Sequence, residues 1–202
     1  MSFFDRLFKN EPSSKPHSTE EKKEPTGREV ADNPILFADW VNEYIVLGQS
    51  FESDYELAPD EEQCKRLSIN NDERISCANE FVLLRALGAC LFVRHNRDEK
   101  YYLAFRSQLL PLVVERMNRC APHNHSDNPA EALEQYLEDL KSESHVAFSM
   151  TYISRVYPQT PSSQGIFLSG IPIHLGYKYA MEAFKSVRDG FCLLLTGFHY
   201  DA

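Results

Sequence analysis

The chain has 202 residues, of which 43% are hydrophobic, 12% aromatic and 25% charged. This composition is globular. It excludes collagen-like and wholly disordered chains, and no apolar run approaches the roughly 20 residues of a membrane span. The net charge of −9 is unevenly placed. Residues 1–28 carry six bases and five acids, residues 29–64 carry ten acids and no Lys or Arg, and residues 65–202 carry fifteen of each sign.

Residues 2–9 set Phe3, Phe4, Leu7 and Phe8 on one side of a short amphipathic helix, with Asp5, Arg6 and Lys9 opposite. Eight residues are too few for a stable isolated helix, so this tip orders only by docking on something, either a groove of another protein or a membrane surface. Residues 10–32 are polar and carry Pro12, Pro16 and Pro25, which reads as a flexible linker. The expected division is therefore a tail over 1–32 and one all-α helical domain over 33–202.

The folded part opens at Asn33-Pro34, an N-cap followed by proline at the first helical position. Leu36, Trp40 and Tyr44, with Phe37, Val41 and Ile45 beside them, predict a helix to about Leu47, and Gly48 is its expected stop. A short helix from Asp60 to Leu67 follows. The stretch from Glu73 to His95 is apolar nearly all round over Phe81–Val93, which marks it as the central buried helix; Gly88-Ala89 would let a neighbour approach closely. Asp98 caps the next helix, to about Arg119, and Pro111 predicts a kink or break inside it.

Asn128-Pro129-Ala130-Glu131 then starts a helix that extends towards Tyr157. A loop over 158–172 and a helix over His174–Arg188 follow. The final apolar run Phe191–Leu195 is compatible with helix or strand. The expectation is an all-α bundle of five to six helices with a disordered N-terminal tail.

Motifs for nucleotide binding, metalloprotease or serine-hydrolase chemistry do not occur in the sequence. The densest group of possible metal ligands is Cys120, His123 and His125, near Asp127, in a loop where such residues are ordinary; it is a weak zinc candidate for a small metal-dependent helical enzyme. No cofactor is called for. The five cysteines are odd in number and several sit in apolar runs, which fits reduced, buried thiols and a cytoplasmic location.

Arg85, Arg94, Arg97, Lys100 and Arg106, with Tyr101 and Tyr102 among them, can be read as a nucleic-acid surface. They are more economically read as the internal complement of the acidic stretch, and the acidic total disfavours nucleic acid as a partner.

The acidic stretch is the main candidate site. Asp39, Glu43, Glu52, Asp54, Tyr55, Glu56, Asp60, Glu61 and Glu62 would form a negative face that meets another protein with a basic surface. Two arrangements are open. Trp40, Tyr44 and their neighbours stay exposed as apolar anchors among the carboxylates, or they face the core and the acids are simply solvated. The functional expectation is a non-enzymatic protein of inhibitor, immunity or adaptor type. The alternatives are the metal-dependent enzyme and a membrane-surface scaffold anchored by residues 2–9.

Overall fold

The computed structural model describes residues 24–46, 58–120, 128–141, 145–157 and 175–196. Within them the chain is predominantly helical and contains no strand. In order come α1 (Gly27–Asp32), α2 (Pro34–Val41), a π-helix (Asn42–Val46), α3 (Glu61–Leu67), α4 (Asn71–Asn96), α5 (Glu99–Cys120), α6 (Pro129–Lys141), α7 (His145–Val156) and α8 (Leu175–Thr196).

Among the described residues there are eight α-helices rather than five or six, for two reasons. First, α1 lies inside the segment whose polarity reads as linker. Thr26 and Glu29 form a reciprocal capping box at its start, and Val30 and Ala31 are buried. Second, the stretch from Pro129 to Val156 is two helices. Twelve residues of continuous helix span about 18 Å. Yet the Thr151 hydroxyl donates to Asp139 at 2.6 Å, and the rings of Tyr136 and Phe148 lie 4.8 Å apart, so the chain turns back on itself.

The capping signals account for the other boundaries. The Asn33 carboxamide accepts from the amides of Ile35 and Leu36, with Pro34 at the first helical position. Asp60 with Gln63, and Asn70 with Glu73, make capping boxes for α3 and α4. Asp98 accepts from the Tyr101 amide at the start of α5. Beyond Val41 the helix widens into the π form. Val41 and Val46 are both fully buried five residues apart, the spacing of an i to i+5 turn. Helix α5 runs through Pro111 without the expected break. Pro111 and Ser107 are on the exposed side, where water can take up the Ser107 carbonyl that proline leaves without a donor.

Helix α4 is the central element. Seventeen of its 26 residues are buried, on every side of the helix. By length and apolar content it would suffice to cross a membrane, but 89% of its most apolar window is covered by the protein itself. Helix α8 packs along it in parallel: Gly176 is against Leu84, Gly88 against Ala180 and Ala183, and Phe92 against Phe184 and Phe191. A Cβ on Gly88 would meet the Ala180 carbonyl and would lie 2.8 Å from the Ala183 side chain, so this crossing requires glycine. The run Phe191–Leu195 continues α8 and is helix, not strand. Core side chains from α2, α4, α5, α6, α7 and α8 form one cluster.

Candidate interaction surface

The acids of the negative stretch occupy different surroundings. Asp32, at the end of α1, pairs with the Arg97 guanidinium at 3.2 Å. The same guanidinium donates to the Ala31 carbonyl at 3.0 Å and lies over the rings of Tyr101 and Phe191. The Tyr101 hydroxyl also donates to the Ala31 carbonyl, at 2.7 Å. Burial is the main reason the Tyr101 phenol is pushed up to about 12. Arg97 and Tyr101 thus clamp α1 to the α4–α5 hairpin. Arg106, in contrast, pairs with Glu134 of α6, and Arg94 lies over the Tyr102 ring.

Asp39 is exposed on α2 and accepts from the Gln108 amide at 2.8 Å. Glu43 is half-buried in the π-helix. Asp60 caps α3, and Glu61 and Glu62 are exposed in its first turn, where the helix dipole favours carboxylates. Glu52, Asp54, Tyr55 and Glu56 lie outside the described residues, as do Phe3, Phe4, Leu7 and Phe8 of the tail.

Trp40 and Tyr44 are half-buried. Trp40 stacks on Phe37 with ring centroids 5.8 Å apart, touches Tyr44 at 5.5 Å, and sets its ring edge against Gly190 of α8. The aliphatic side chain that stands out on this face is Ile35, 50% exposed, one turn from Asp39 on α2 and close in sequence to Asp32. An exposed apolar side chain thus lies one helical turn from an exposed carboxylate.

His123 and His125 lie outside the described residues, and Cys120 is placed only as the last residue of α5. Among the described residues no group of three or more His, Cys, Asp or Glu is arranged to hold a metal ion. Cys77 is buried with its Sγ 3.1 Å from the Tyr152 hydroxyl. Cys90 is fully buried, and that burial pushes its thiol up to about 12. Burial also raises the Cys64 thiol. These environments favour the protonated thiol, the opposite of what a nucleophile requires.

One polar network has no counterpart in the expectations drawn from sequence. Glu80, 2% exposed at mid-α4, accepts from Arg155 of α7 at 2.7 and 3.2 Å and from the Tyr136 hydroxyl of α6 at 2.6 Å. Burial, and then the Glu80 charge, raise the Tyr136 phenol well above its usual range. The sole hint in sequence is that Glu80 and Arg85 interrupt an otherwise apolar run. The partners of Glu80 stand 56 and 75 residues away and carry no local signal. The network ties α6 and α7 to α4.

Comparison with known proteins returns no matching family, no matching curated protein and no matching solved structure.

Proposed function

We propose that this chain is a non-enzymatic, cytoplasmic helical protein that acts by binding another protein with a basic surface, as an inhibitor, immunity protein or adaptor does. The contact surface is the face that begins at α2 and continues through residues 39–62. The observation that carries this reading is Ile35, 50% exposed and one helical turn from the exposed Asp39 on α2. A desolvated apolar anchor supplies affinity, while the surrounding like charges speed encounter with a basic partner and reject acidic ones. The position of Trp40 and Tyr44 against the core makes them supports of this face rather than its anchors. The odd number of cysteines and the burial of Cys77 and Cys90 support a reducing compartment.

The test is capture from native lysate with the wild-type chain and with a charge-reversed chain carrying Asp39→Lys, Glu61→Lys and Glu62→Lys, both checked for an unchanged helical spectrum. The expected result is a basic protein retained by the wild type, released by salt and absent from the variant. Equal retention by both chains at low salt would place the contact elsewhere.

A further inference from the structure

Where α4 ends and α5 begins, α1 crosses the last turn of α8. A Cβ on Gly27 would come 2.5 Å from the Leu194 carbonyl, so the two backbones touch at a glycine. Beside this crossing lies an open cleft of about 560 Å³. Phe92, Phe191 and Leu195 supply its apolar lining, and Arg28, Arg97 and Arg188 bring three guanidinium groups to it, with Asp32 as the acid among the lining residues. Arg97 is engaged by Asp32, and Arg188 by its neighbour Asp189 at 2.8 Å. Arg28 is exposed and has no ion-pair partner among the described residues.

The same end exposes large apolar side chains. Leu193 and Leu195 are 52% and 38% exposed on the last turn of α8, and Cys192 is exposed beside them. Two solvated leucines next to arginines are poorly suited to water, and well suited to the boundary between lipid headgroups and acyl chains. The N-terminal segment joins the body at this end too. Its apolar residues Phe3, Phe4, Leu7 and Phe8 precede α1 by a stretch from residue 9 to residue 26, a reach of at most about 60 Å. A single weak anchor gives only marginal attachment, and stable attachment takes two signals. Both are available at one end here.

We propose that this end of the molecule docks on an anionic lipid surface, with Leu193 and Leu195 entering the interface and the arginines of the cleft facing lipid phosphate. This inference does not rest on the protein-binding reading, since its contact residues Arg28, Arg188, Leu193 and Leu195 play no part in that reading.

The test is flotation of the full chain with vesicles of phosphatidylcholine alone and of phosphatidylcholine with one-third phosphatidylserine. The variants are Arg28→Glu/Arg188→Glu and Leu193→Ser/Leu195→Ser, at exposed positions where the helical spectrum should not change. The wild type is expected to float with the anionic vesicles alone and to be released by salt. Each double variant should lower the bound fraction about tenfold or more, from roughly 1 kcal/mol per cationic residue at an anionic surface and the loss of apolar insertion. Asp39→Lys should float as well as the wild type. A fluorophore on Cys192, with Cys64 and Cys120 replaced by Ser, should shift to the blue on vesicle binding. The proposal is overturned by no flotation, by flotation on neutral vesicles to the same extent, or by variants that float unchanged. It is also overturned if immobilised polyglutamate retains the chain through Arg28 and Arg188 while vesicles do not, which would assign the cleft to an acidic protein.

Discussion

Replacing Arg155 by Met isolates the buried network on α4. In the wild type Glu80 is 2% exposed and receives two hydrogen bonds from Arg155 and one from Tyr136. Met has about the volume and reach of the arginine stem but leaves the Glu80 carboxylate with the Tyr136 hydroxyl as its remaining partner in this network. Stranding one member of a buried ion pair costs about 3–5 kcal/mol. For a domain of this size each kcal/mol moves the melting temperature by about 2–4 °C, so the variant should melt roughly 6–20 °C below the wild type. Removing both charges, Glu80→Leu with Arg155→Met and with Tyr136→Phe so that no buried hydroxyl loses its acceptor, should recover most of that loss, because no uncompensated charge remains in the interior. Thermal and urea unfolding of the four chains of this cycle, all carrying Tyr136→Phe, measure the coupling directly. A loss below about 1 kcal/mol for Arg155→Met, or a double variant as unstable as the single, would show that the pair is not buried in solution and that α7 is not held to α4 as described.

Gly88→Ala should be strongly destabilising, by about 1–3 kcal/mol or more, because the added methyl group meets the Ala180 backbone of α8; the chemical denaturation midpoint checks it. Asn33→Ala removes the acceptor for the Ile35 and Leu36 amides, and should cost about 1 kcal/mol in the same assay. The alkaline limit of stability is also set by the structure. Cys90 and Tyr101 both have their ionisation pushed up to about 12 in the fold, from 9.0 and 10.0. The unfolded chain therefore loses these protons first, and stability that is complete below pH 9 should fall as pH rises from about 9 through 12. Cys90→Ala and Tyr101→Phe should each flatten that decline, and a melting temperature constant from pH 8 to 11 would contradict it.

The parts of the fold that were legible in sequence are those fixed by neighbours in the chain. Asn33-Pro34, Asp60 and Asp98 carry their capping chemistry within three residues, and the apolar run around Gly88 is long enough to mark the central helix. Helix α1 had such a signal in Thr26-Gly27-Arg28-Glu29, a capping box set within a run of polar residues that outweighed it. The π-helix and the division of α6 from α7 depend on tertiary fit. Val46 reaches the core because the turn widens, and Thr151 meets Asp139 because the chain reverses. The acidic stretch was visible as a count of charges, but the use of each charge was not. Asp32 is taken by Arg97 from 65 residues away and Asp39 by Gln108 from 69, partners that no local pattern in the sequence announces.

The most direct test of the protein-binding account is hydrogen–deuterium exchange of the chain alone and in complex with its captured partner. Slowed exchange is expected over residues 34–46 and in the first turn of α3, with α6 and α7 unchanged. Slowed exchange confined to α6, α7 or the middle of α8, with α2 exchanging as in the free chain, would contradict it.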